Sequence, residues 1–186
     1  MRRFAVLLLC FAVAGCAAYD EFYGLFTKKT SPDLEALEAS VLTLAQRERT
    51  RAGLSPVLAV NPDLCAAARE HSDDMAARNY FDHKSPDGAN ALNRVQRYLP
   101  AFRGALGENI AARGITPENG DDEGALARLI VDAWLKSPPH RATLLSPMFR
   151  ETGIGIALRN GEIYVTQLFS GPVPEMAEGA PRNSAD

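Results

Sequence analysis

Apolar residues recur at Leu34, Leu37, Val41, Leu44 and Ala45, the spacing of one helix face, and the pattern stops at Gly53. Ser31-Pro32-Asp33 ahead of it reads as an N-cap, a first-position proline and a first-turn acid. Asn61-Pro62-Asp63 repeats that start signal, and Leu64, Ala67, Ala68, His71, Met75 and Ala76 form the inward stripe of a second helix reaching to Asn79. A polar, turn-rich loop, Asp82-His83-Lys84-Ser85-Pro86-Asp87-Gly88, precedes a short helix with Leu92, Val95 and Leu99 inward, which ends at Pro100. After a loop at Asn119-Gly120-Asp121-Asp122, the helical period resumes at Leu126, Leu129, Ile130, Ala133 and Trp134, with Trp134 assigned to the core. The pattern then changes to two strands, Gly153 to Leu158 and Ile163 to Phe169, joined through Asn160-Gly161, the pair preferred in a type I′ hairpin turn.

The N-terminus follows a different logic. Arg2 and Arg3 precede an apolar stretch from Phe4 to Val13, the charged and hydrophobic regions of a secretory signal, and that stretch is too short to span a bilayer. Val13-Ala14-Gly15-Cys16 resembles the lipobox of bacterial lipoproteins, in which the cysteine thiol is acylated before cleavage. Residues 1–15 are accordingly expected to be a signal peptide, Cys16 the lipidation site, 16–30 a tether and 31–169 the folded domain, followed by a mobile tail over 170–186. Ala17, rather than an aspartate, follows the cysteine and resembles the outer-membrane sorting pattern of two-membrane bacteria. The expected location is therefore outside the cytoplasm, anchored to a membrane through acyl chains. Cys65 is left without a partner for a disulfide and reads as a small buried apolar residue. The 186 residues hold 20 Lys+Arg against 23 Asp+Glu, a net charge of −3, with no basic cluster interleaved with aromatics, which argues against a nucleic-acid partner.

Candidate chemistry centres on three of the polar residues. Two of the three histidines, His83 and His140, lie in turn-rich segments where burial in a core is a weaker explanation than usual. His140 follows Ser137-Pro138-Pro139, an N-cap and proline start, so the positive end of a short helix favours a neutral imidazole. Glu108, in Gly107-Glu108-Asn109-Ile110-Ala111, is a carboxylate that could join them. Spacing alone does not bring the three together. If they meet, they could hold a metal ion or simply hydrogen-bond one another. His71 reads as a hydrogen-bonded packing residue of the second helix.

Four segments resemble the CAP superfamily, which groups cysteine-rich secretory, antigen 5 and pathogenesis-related proteins. They are Phe81 to Gly88, Gly107 to Ala111, Trp134 to Arg141, and the paired ends Gly153 to Ile156 and Tyr164 to Phe169, in the family's order. The resemblance implies an α+β fold, a three-layer α-β-α sandwich with a central antiparallel sheet. It also implies a cavity in which His83, Glu108 and His140 match three of four positions that bind a divalent cation such as zinc in some members. The fourth, an acid, is replaced here by Ser137, which removes a ligand and a charge. The function implied is a noncatalytic envelope module that receives an apolar, cell-wall or protein ligand. The alternative is a metal-dependent hydrolase using the His/Glu/His set. A nucleophilic Ser137 is disfavoured, because its hydroxyl is expected to cap the helix that follows.

If Cys16 carries the lipid, Cys16→Ala is expected either to leave the chain unprocessed or to move it from the detergent-dependent membrane fraction into the soluble fraction. Unchanged processing together with unchanged fractionation of the variant would overturn the anchor.

Overall fold

The computed structural model describes residues 31–54, 57–116 and 122–173. The expected signal peptide, Cys16, the tether up to residue 30 and the tail beyond 173 lie outside the described residues. The elements are α1 (Leu34–Arg51), β1 (Ala59–Val60), α2 (Pro62–Arg78), α3 (Ala91–Tyr98), β2 (Ala105–Gly114), α4 (Glu123–Lys136), α5 (Pro138–Leu144), β3 (Glu151–Arg159) and β4 (Glu162–Gly171).

The local chemistry explains most boundaries. Asn61 caps α2, its side chain accepting from the Asp63 and Leu64 N–H groups, and Pro62 takes the first position, where no N–H is needed. Asn79, in the left-handed region, ends the same helix. At α1 the cap is Asp33, which accepts from the Glu35 and Ala36 N–H groups, so the acid expected in the first turn is itself the N-cap and Ser31 lies further out. Asn160 and Gly161 both have positive φ, 52° and 77°, as a type I′ turn between β3 and β4 demands.

The strands form one sheet in the order β1-β3-β4-β2. β2 and β3 are antiparallel to β4, whereas β1 pairs parallel with β3 through only two residues, so the sheet is mixed rather than wholly antiparallel. Its two faces are covered by different helices, giving three layers. On one face α2 and α3 bury Leu64, Ala67, Ala68 and Val95 against Leu168. On the other, α1, α4 and α5 contribute Leu37, Val41, Ile130, Trp134 and Leu144 to a larger core with Ile154, Val165 and Phe169. Trp134 is 1% exposed, and its Nε1 donates to the Ile110 carbonyl of β2 at 2.9 Å, so the indole is both packed and hydrogen-bonded. Cys65 is buried and free, in agreement with a packing role.

Two glycines set how closely α2 approaches the sheet. A Cβ on Gly153 would lie 2.3 Å from the Cys65 nitrogen, and one on Gly155 2.1 Å from the Arg69 nitrogen. Both obstacles are backbone, so neither can swing aside. Beyond its short pairing with β1, β3 is an open edge, and Glu38 of α1 closes it by accepting from the Ile156 N–H at 3.0 Å. Arg69 of α2 grips the same carboxylate through Nε at 3.0 Å and through Nη2, tying the two helical layers together around the edge.

Gly155→Ala is expected to lower the unfolding free energy by about 3 kcal/mol, through the forced retreat of α2. Gly114→Ala, where a Cβ meets nothing within 4 Å, is expected to stay within about 0.5 kcal/mol of wild type in the same urea titration.

Candidate functional site

β2 is the edge strand opposite β1, and the candidate site is built across it. Glu108 pairs with Leu168 in the β2–β4 register. Its neighbours on the same face, Leu106 and Ile110, pack with the α2 side of the molecule, so its carboxylate also points there. Asn109 projects to the other face, where its amide donates to the His140 carbonyl at 3.0 Å and fixes the first turn of α5 to the strand. His83 reaches the same edge from the loop between α2 and α3. The imidazole rings of His83 and His140 lie 6.3 Å apart, tilted by 48°. The structure thus brings together the three residues that spacing alone could not join.

The loop carrying His83 is closely held. Ser85 N–H donates to the Ala89 carbonyl and Gly88 N–H to the Ser85 carbonyl, each at 2.8 Å, and Asp82 accepts from the Lys84 N–H at 2.8 Å. The Tyr80 hydroxyl donates to Asp74 of α2. Beneath it His71 is fully buried, with Nδ1 3.4 Å from the Tyr80 hydroxyl, the packing role expected for it. Burial pushes the His71 pKa down to about 4, so this ring is neutral near pH 7.

Arg94 completes the site, and sequence reasoning missed it. In α3 the expected stripe of Leu92, Val95 and Leu99 is shifted: Leu92 is 40% exposed, while Arg94 is only 1% exposed. Nη2 of Arg94 donates to Glu108 Oε2 at 2.7 Å and to the His83 carbonyl at 3.0 Å, and Nη1 donates to the Ala89 carbonyl at 3.2 Å. The other carboxylate oxygen, Oε1, lies 2.8 Å from His83 Nδ1. Burial alone would raise the Glu108 pKa, but the His83 hydrogen bond and the Arg94 charge outweigh it and hold the carboxyl below its usual range. The hydrogen bond to Glu108 raises the His83 pKa against a smaller opposing effect of burial. His140 is displaced the other way, by burial and then by the neighbouring His83 charge. The edge therefore carries one imidazole biased toward the cation and one biased toward the neutral base.

Ser137 occupies the N-cap position of α5, but its side chain makes no capping hydrogen bond, contrary to expectation. Pro139 at the second helical position has no N–H, which leaves the His140 N–H as the one remaining donor for a cap, and the Ser137 side chain does not accept it.

A three-ligand zinc centre does not fit this donor set. Both Glu108 oxygens are engaged, one by a guanidinium and one by the His83 ring. Among the described residues no three His, Cys, Asp or Glu side chains form a group able to hold a metal ion.

Comparison with known proteins names the class to which this three-layer α+β fold belongs. The chain belongs to the CAP family, the cysteine-rich secretory protein family, whose pattern matches residues 42–169. It is 34% identical over 145 residues to YkwD of Bacillus subtilis (strain 168), an alignment covering 78% of this chain and 51% of that protein. An extracellular protein of Bacillus anthracis containing an SCP domain superposes with a TM-score of 0.58 at 32% identity, over 74% of this chain and 41% of that one. An outer surface protein of Borrelia burgdorferi superposes with a TM-score of 0.64 over 76% of this chain and 96% of its own, and at 20% identity it speaks to the fold alone. The chain spans about half the length of the curated relative YkwD. These structural relatives are named as extracellular or outer-surface proteins, and no helix among the described residues is long and apolar enough to cross a membrane.

Because the His83 pKa is raised in the folded state, its pairing with Glu108 adds stability that is fully present below the unfolded value of about 6.5 and is lost as pH rises through the folded value. The difference in unfolding free energy between wild type and His83→Gln is therefore expected to be largest near pH 6 and to shrink toward pH 9, as read by urea denaturation across that range. A difference that grew with pH would overturn the assignment.

Proposed function

We propose that this chain is a membrane-anchored, extracytoplasmic CAP-domain lipoprotein that binds an envelope ligand without chemically changing it. The observation that carries this reading is the arrangement at β2. Two imidazoles from opposite layers of the sandwich, His83 half-exposed at 53%, meet over a sheet edge, while the acid beside them is occupied by Arg94. Such a pair offers a hydrogen-bond donor and an acceptor to a ligand laid along the edge. A hydrolase would need an activated water or nucleophile. Glu108 is engaged on both oxygens and is not free to activate a water, which supports binding over catalysis. The ligand class that suits an exported, lipid-tethered module is apolar, cell-wall or protein material of the envelope.

The test uses the Cys16→Ala chain, free of lipid, in co-sedimentation with purified envelope fractions: peptidoglycan sacculi, phospholipid vesicles and extracted envelope proteins. One fraction is expected to retain the chain, and retention is expected to fall about tenfold in His83→Ala and in His140→Ala, a loss of roughly 1.4 kcal/mol. Equal retention of all variants would remove the cleft from the function. Turnover of an ester or peptide substrate that depends on His83 would replace binding with catalysis.

A further inference from the structure

We propose that Arg94 is a built-in cation that takes the place of a metal ion at Glu108, withdraws that carboxylate from ligation and so lowers the metal affinity of the histidine cleft. This holds whatever the cleft binds.

Arg94 is 1% exposed, and a buried guanidinium persists only when its charge and most of its donors are matched. Here the charge is matched by Glu108 of the edge strand, and the two Nη groups by that carboxylate, the carbonyls of His83 and Ala89 in the loop, and the Ser85 hydroxyl 3.4 Å from Nη1, while Nε has no hydrogen-bond partner among the described residues. A divalent ion at Glu108 would have to displace this guanidinium or sit against it, and the carboxylate and two loop carbonyls hold it in place. A divalent ion ligated by Glu108 would sit about 2.0–2.2 Å from a carboxylate oxygen, beside that fixed charge in a site largely withdrawn from water. Arg94 and Glu108 cancel each other, and the two imidazoles carry no negative charge when they ligate.

The same contact gives Arg94 a positioning role. With Oε2 held by Nη2, Glu108 turns Oε1 toward His83 Nδ1, and the ring is left with only Nε2 to offer the cleft. A carboxylate that orients a histidine through its inner nitrogen is the usual outer support of a metal-bound imidazole. In this chain an arginine holds that carboxylate, and the support is complete with no ion present.

The experiment is calorimetric titration of zinc chloride into the full chain, paired with thermal melts with and without zinc, for wild type, Arg94→Gln, Arg94→Lys and Glu108→Gln. Wild type, Arg94→Lys and Glu108→Gln are expected to respond alike, with no stoichiometric zinc binding and no upward shift of the melt. Arg94→Gln frees Glu108 and is expected to gain zinc affinity of at least about tenfold over wild type, with a zinc-dependent rise in melting temperature that a further His83→Gln substitution abolishes. A merely structural arginine would lower stability in Arg94→Gln without creating zinc affinity, and that result overturns the proposal. Should Arg94→Gln fail to fold, the comparison of wild type with Glu108→Gln decides: one-to-one zinc binding by wild type that Glu108→Gln loses overturns the proposal, and identical zinc-silent titrations support it.

Discussion

The rest of the molecule depends on the contact between the backbone of α2 and the two glycines of β3. With no side chain at Gly153 or Gly155, the helix lies directly on the sheet, and Ala67 and Ala68 continue that flat, close-fitting face. Everything downstream of α2 inherits this placement. The left-handed Asn79 turns the chain out of the helix, Tyr80 anchors to Asp74 one turn back, and the next three residues lead to His83. A helix standing an ångström further off would carry the loop with it, and the 2.8 Å contact between His83 and Glu108 would not close.

Both open edges of the sheet are finished by a buried carboxylate gripped by an arginine. On β3 the acid is Glu38 and the arginine Arg69; on β2 they are Glu108 and Arg94. The two pairs differ in use. Glu38 also accepts the Ile156 N–H and closes the strand against further pairing, whereas Glu108 spends its second oxygen on a half-exposed imidazole. One edge is sealed, and the other is equipped with side chains that face outward.

Much of this architecture was legible in the sequence because it follows local rules. The cap at Asn61, the apolar stripe of α2 and the Asn160-Gly161 turn each depend on a few neighbouring residues. The family resemblance pointed to His83, Glu108 and His140, but not to how they meet. Their meeting requires β2, which carries no alternating apolar pattern, because Glu108 and Asn109 occupy its middle as buried, hydrogen-bonded polar groups. Arg94 was hidden for a related reason: an arginine in an amphipathic helix reads as a solvent-facing residue unless its distant carboxylate partner is known. Ser137 misled because the N-cap rule assumes two N–H donors, and Pro139 removes one of them.

The order in which these strands pair bears on when the site exists at all. β3 and β4 are joined by a two-residue turn and can zip together locally, whereas β2 must wait for a partner made long after it, with Ala105 opposite Gly171. A nascent chain that already contains both histidines, Glu108 and Arg94 still has no strand against which to seat Glu108. Until synthesis has passed Gly171, those four residues are ordinary polar side chains on an unfinished polypeptide. The cleft thus cannot form before the last strand exists, and its presence certifies that the chain through Gly171 has been made and paired.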